Sequence, residues 1–352
     1  AIGLGAAGCG GGSGRTGALS FGHMAGYVWS GEVSAVAASW AVPRMSGAGD
    51  AHASTWIGAQ APGRPQYSPF IQVGTVEDHA QPSPPVDAAF WTDTRRGFHP
   101  QILFVVHAGD AVSTALTLRA DRWRVHIVDT TSGRRASFTT REEGLADFNL
   151  AEWLQENPSE TPGGITRYPD LSQVRMRALA VNGAAPRYGD VFAQWMSLPG
   201  RDLAPTALRD AAFTITRGVL TAAGRRYLEL ARAQNASART ADIEQARLPQ
   251  HPQAGELKRV SAAAAASERR FANGLDRGPW PTAARGPISS LSHEIRLEAG
   301  LFALAARHVP ASLAAWQGRL AQLAPTLLAL AHRVRRALHV PEQVPSVSRR
   351  TG

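Results

Sequence analysis

His293-Glu294 opens as the metal-binding helix of a zinc peptidase does, but Leu297 stands where the second histidine would have to be. The pair therefore reads as part of an exposed helix face. Asp129-Thr130-Thr131-Ser132-Gly133 is like the loop of an aspartic peptidase, yet it has no duplicate and its composition is that of a hairpin turn. Gly-x-Ser-x-Gly is absent, so nothing supports a nucleophile elbow. Gly3-x-Gly5-x-x-Gly8 has dinucleotide-binding spacing with no room for a strand before it, and Gly14-Arg15-Thr16 lacks both the leading Gly and the Lys of a phosphate loop. Cys9 is the one cysteine, which excludes an intrachain disulfide and a cysteine-based zinc cluster. None of these motifs supports a metal or cofactor site, and none is expected.

The elements available to position a site change character along the 352 residues. From Tyr27 to about Ile215, short alternating or apolar runs are punctuated by Gly, Pro, Asp and Ser, the grammar of an all-β sandwich. The clearest hairpin alternates Trp123, Val125 and Ile127 with polar residues, turns at 130–133, and returns through Ala136, Phe138 and Thr140. After Gly218 the spacing becomes three and four. Leu313, Trp316, Leu320, Leu323, Leu327, Leu330, Val334 and Leu338 make one stripe, Leu257, Val260, Ala264, Phe271 and Leu275 a second, and Ile288, Leu291, Ile295 and Phe302 a third. A fourth runs through Tyr227, Leu228 and Leu230, and a four-helix bundle is the economical assembly. Pro325 should kink or interrupt the last helix.

Charge follows the same division. Up to Arg217 there are 18 Arg against 19 acids; beyond it 18 Arg and Lys258 face 9 acids. No basic stripe with interleaved aromatics accompanies that excess, so a solvated Arg-rich helical surface is preferred to nucleic-acid binding, with an anionic membrane surface as the other partner the charge allows. Residues 1–20 suit the end of a secretion signal followed by a Gly/Ser tether. Ala6-Ala7-Gly8-Cys9 resembles a bacterial lipoprotein cleavage site, with Ala6 where Leu is usual. Cys9 thus has two readings, a lipidated residue anchoring an extracytoplasmic protein or an exposed cysteine in a tail.

Four motifs in order carry a resemblance across the β region: Ala53-Ser54-Thr55-Trp56-Ile57-Gly58, Phe70-Ile71-Gln72-Val73-Gly74-Thr75, Thr130-Thr131-Ser132-Gly133 and Ala151-Glu152-Trp153-Leu154. Together they resemble the signatures of the eqolisins, the glutamic peptidases, and Gln194-Trp195-Met196 with Leu203-Ala204-Pro205-Thr206-Ala207-Leu208 resemble the closing strands of bacterial relatives, so that residues 27–215 are covered. The resemblance implies a lectin-like or jelly-roll-like double-sheet sandwich, a polypeptide substrate, and catalysis by Gln72 and Glu152. In those roles an ionised Glu152 takes a proton from the attacking water and returns it to the leaving amine, while the Gln72 amide donates to the oxyanion. A carboxyl near 4.3 donates poorly at neutral pH, so an acid optimum follows unless Trp153 and its neighbours desolvate it.

Trp56 and Trp91 are the substrate-side residues that the resemblance supplies, Trp56 having a plain core reading beside it. Two positions depart from the family pattern: Gln60 where Asp is frequent, and Thr92 where Glu is expected. The expected organisation is a tether over 1–26, a peptidase sandwich over 27–217, a basic helical bundle over 218–340 and a tail over 341–352. The rival reading is a sandwich that binds peptide or carbohydrate without turnover, with the helices serving the cell envelope.

Overall fold

In a computed structural model the protein is described at residues 22–46, 51–61, 69–78, 86–97, 99–141, 147–161, 164–165, 167–246, 254–308 and 313–342. Cys9, and with it the lipoprotein-like segment, lies outside these residues.

The chain divides into two compact units that meet between Val219 and Leu220. The first holds strands β1 (Met24–Ser30), β2 (Ala35–Ala41), β3 (Met45–Ser46), β4 (His52–Gln60), β5 (Phe70–Asp78), β6 (Val86–Asp93), β7 (Gln101–Val105), β8 (Ala111–Arg119), β9 (Arg122–Asp129) and β10 (Arg135–Thr140). It continues with β11 (Leu150–Glu156), β12 (Ser159–Thr161), β13 (Gly164–Ile165), β14 (Asp170–Leu171), β15 (Arg175–Val181), β16 (Val191–Gln194), β17 (Met196–Leu198), β18 (Arg201–Pro205) and β19 (Phe213–Gly218). Two large antiparallel sheets result. One has seven strands in the order β16-β1-β11-β4-β5-β6-β7, the other eight in the order β10-β9-β8-β2-β15-β19-β18-β17.

Alternation explains why the sheets stack. Ile57, Ile71, Val73, Ala151 and Trp153 of the first sheet share one core with Val36, Trp40, Leu116, Val125 and Ile127 of the second. Two indoles tie the sheets by hydrogen bonds as well as by area: Trp153 Nε1 donates to the Ala37 carbonyl at 2.9 Å and Trp40 Nε1 to Thr75 Oγ1 at 3.1 Å. The expected hairpin forms in the expected register, Ile127 opposite Ala136 and Val125 opposite Phe138. In its turn the Asp129 carboxylate accepts from the backbone N–H groups of Thr131 and Ser132 at 2.9 and 3.2 Å, which is turn chemistry rather than catalysis. Strand β7 closes one end of the seven-stranded sheet, and its Ile102 and Val105 are 59% and 39% exposed.

The second unit is α1 (Ala222–Ala246), α2 (Ala254–Asp276), α3 (Thr282–Arg307) and α4 (Leu313–Ala337). The apolar stripes face inward: Leu257, Val260, Phe271 and Leu275 of α2, Ile288, Leu291, Ile295 and Phe302 of α3, and Trp316, Leu320 and Val334 of α4 are all buried. Helix α4 runs unbroken through Pro325, so the interruption allowed by that residue does not occur. No described helix is long and apolar enough to cross a membrane.

Candidate active site

Strand β4 lies between β11 and β5, and the register puts Glu152 opposite Gly58 and Gly58 opposite Gln72. Glu152 and Gln72 therefore occupy one cross-strand row, their Cα atoms two strand spacings or about 9–10 Å apart, with no side chain between them. The same row continues to Val28 beyond Glu152 and to Thr92 beyond Gln72. Because their odd-numbered neighbours Ile57, Ile71, Val73, Ala151 and Trp153 fill the inter-sheet core, Glu152 and Gln72 point to the opposite, outer face. That face is far from bare: Glu152 is 7% and Gln72 8% exposed.

Neither the Glu152 nor the Gln72 side chain makes a hydrogen bond among the described residues. Burial, and then the charge of Glu156, push the Glu152 carboxyl up to about 8. The ordinary value assumed from the sequence does not hold. Trp153 is not the neighbour responsible, since it lies on the core face.

Glu156 sits four residues further along β11 on the same face, and it is held by three groups. Its Oε2 accepts from Trp56 Nε1 at 2.8 Å and from Ser54 Oγ at 3.4 Å, and His23 Nε2 is 3.6 Å from Oε1. Burial raises the Glu156 carboxyl, opposed by His23 and by the Trp56 and Ser54 bonds. Trp56, anchored in this way, meets Phe70 edge-to-face with ring centroids 5.6 Å apart. A Cβ at Gly58 would lie 2.8 Å from Trp56 Cζ3 and 3.0 Å from Phe70 Cε2, so the two rings close over the glycine. Two pairs along, a Cβ at Gly74 would be 2.1 Å from the Thr55 carbonyl, and only glycine allows β5 to approach β4 there.

The positions named from the sequence fare unequally. Glu152 and Gln72 are brought together, and Trp56 is on their face, 1% exposed, as part of the floor. Trp91 is not. Strand alternation turns it into the inter-sheet core, 4.7 Å from Phe138, with the Arg96 guanidinium 4.1 Å from its ring. Its neighbour Phe90 takes the outer face, opposite Gly74. Thr92 is buried beside Gln72, and among the described residues its Oγ1 has no hydrogen-bond partner. Gln60 ends β4 opposite Phe70. Sequence reasoning missed Glu156 and Phe70, although the period of two from Glu152 and Gln72 along their own strands selects both, whereas Gly58 and Phe90 join the face only through cross-strand register.

A sandwich with a carboxyl and a carboxamide aligned across a glycine on its outer sheet face has the apparatus of a water-activating hydrolase. Residues 22–189 match the model of the Peptidase A4 family, the eqolisins. Among solved structures, a scytalido-glutamic peptidase with a transition state analog inhibitor is 15% identical, covers 56% of this chain and 98% of its own, and has a TM-score of 0.47. SCP-B, an eqolisin solved with the tripeptide Ala-Ile-His, is 15% identical with the same coverage and a TM-score of 0.46. No curated protein matches the chain.

Proposed function

We propose that the sandwich unit is an acid-acting glutamic endopeptidase. The supporting observation is the single cross-strand row that carries Glu152 and Gln72 on either side of Gly58. A scissile carbonyl that reaches this row from the outer face is offered a proton by Glu152 and a hydrogen bond by Gln72.

With its carboxyl near 8, Glu152 enters the cycle protonated in acid and neutral solution. Its hydroxyl proton passes to the carbonyl oxygen as water attacks the carbon, and its other oxygen accepts a proton from that water. The Gln72 Nε2 donates to the same carbonyl oxygen as charge develops there. In the collapse of the tetrahedral diol, Glu152 delivers its proton to the departing nitrogen and receives one from a diol hydroxyl. The C–N bond breaks, a carboxylic acid and an amine leave, and Glu152 is regenerated.

The test is hydrolysis of an unfolded protein substrate by the full chain from acid to alkaline pH, with metal chelators and serine and cysteine peptidase inhibitors present. Activity should hold through the acid range and fall with an apparent pKa near 8. Glu152→Gln should abolish it, and Gln72→Ala should lower kcat by about a hundredfold, the scale of losing an oxyanion donor. Undiminished cleavage by Glu152→Gln would overturn the assignment. Thr92, standing where the family pattern has Glu, favours the second reading, a binding sandwich; no cleavage by a folded wild type at any pH would select it.

A further inference from the structure

In the helical unit α1 packs on α2, α2 on α3 and α3 on α4, and a cleft remains between α1 and α4. Its empty space, open solvent at the mouth included, is about 490 Å³. Ala231, Phe271, Leu291 and Leu328 make its walls apolar.

Arg335 of α4 lines this cleft and is 8% exposed. It forms no ion pair among the described residues. Its Nη1 donates to the Pro341 carbonyl at 2.7 Å, and the guanidinium also hydrogen-bonds the Tyr227 side chain, its carbon 5.7 Å from the centre of that ring, which leaves part of its set of five N–H groups unused. Both partners are uncharged. A guanidinium withdrawn from water without a counter-charge is unfavourable, and an anion beside it relieves that penalty. The acid nearest in sequence is otherwise engaged: Glu342 Oε2 is 2.9 Å from His332 Nδ1, and its Oε1 is 3.8 Å from Arg336. Gln234 is occupied as well, accepting from Ser267 at 2.8 Å and donating to Glu268. Asn235, also in the lining, makes no hydrogen bond among the described residues. The groups facing the cleft with donors to spare are thus one cation and one carboxamide, set in hydrocarbon.

We infer that this cleft binds a small organic anion, a carboxylate with a short hydrocarbon chain. The carboxylate sits on Arg335 and Asn235, and the chain lies against Ala231, Phe271 and Leu328. The charged fork gives selectivity for the head group, because guanidinium and carboxylate pair in two parallel hydrogen bonds. The excess of Arg over acids after Arg217 draws anions to this half of the molecule.

The experiment is calorimetric titration of the full chain with sodium hexanoate in low-chloride buffer, set against hexan-1-ol and hexylammonium. Hexanoate should bind with one site per chain, the alcohol and the amine at least tenfold more weakly, and Arg335→Met should lose at least tenfold in hexanoate affinity. Ala231→Leu, which narrows the wall without touching the charge, should weaken hexanoate too and guards against misfolding of the Arg335 variant. Equal binding of hexanoate and hexan-1-ol, full affinity in both variants, or no hexanoate binding by the wild type would each overturn the proposal.

Discussion

Gly58 acts by what it omits. Any side chain there would stand between Glu152 and Gln72 and would strike Trp56 and Phe70, which already approach the position of its missing Cβ to 2.8 and 3.0 Å. Gly58→Ala should therefore destabilise the sandwich by about 1–3 kcal/mol, the usual result of overpacking, and reduce kcat/KM in the fraction that folds. Denaturant unfolding and peptide hydrolysis on the same preparation check both halves. Glu156 offers a subtler change. Its charge helps hold the Glu152 carboxyl near 8, and Glu156→Gln keeps an acceptor for Trp56 Nε1 while removing the charge. The Glu152 carboxyl should then titrate lower, and the alkaline fall in kcat/KM should move to lower pH. A profile that does not move would exclude Glu156 as a tuning group.

At the scale of elements, the sequence is legible where one face is buried and the other wet. Trp123, Val125 and Ile127 alternate cleanly, and their hairpin has the expected register. Strand β11 is harder to read, because five of its seven residues are buried and the alternation vanishes; the motif around Glu152, rather than periodicity, marks it. Strands β3 and β14 are two residues long and exist through pairing with each other across more than a hundred residues of chain, which no local pattern records, and β12 and β13 are a hairpin too short to show alternation. Trp91 was misplaced for a related reason. An aromatic next to a site motif looks functional, and only the strand parity separates it from Phe90.

The helices have their own ionisable feature. Burial lifts Glu268 to about 8, helped by Glu298 and opposed by its bond to Gln234, and burial lifts Glu298 to about 7. Folded carboxyls that titrate above their unfolded value of about 4.5 bind protons more tightly in the native state, so their contribution to stability is complete in acid and is lost as pH rises to about 8. The loss from Glu298 alone is on the order of 3 kcal/mol. Calorimetric scans between pH 5 and 8 should show the transition of the helical unit falling with pH, and Glu298→Gln should flatten the fall.

For the molecule as a whole, the division into compact units falls between Val219 and Leu220, where strand β19 gives way to helix α1. What the periodicity could not convey is the row that makes the site. Glu152, Gly58 and Gln72 are separated by tens of residues in the chain and meet only through the strand order β11-β4-β5. Since each unit has its own buried core, heating the full chain should resolve two transitions, and Arg335→Met should displace one of them alone.

The end of the seven-stranded sheet sets a handling limit on the protein. Strand β7 reads Gln-Ile-Leu-Phe-Val, carries no charge, and among the described residues pairs on one side only, with the Val105 carbonyl capped by Arg134 at 3.1 Å. An uncharged open edge is a template for a strand from another molecule. Self-association should thus increase with concentration, and Ile102→Lys, made at a position 59% exposed, should raise the concentration at which light scattering still reports monomers.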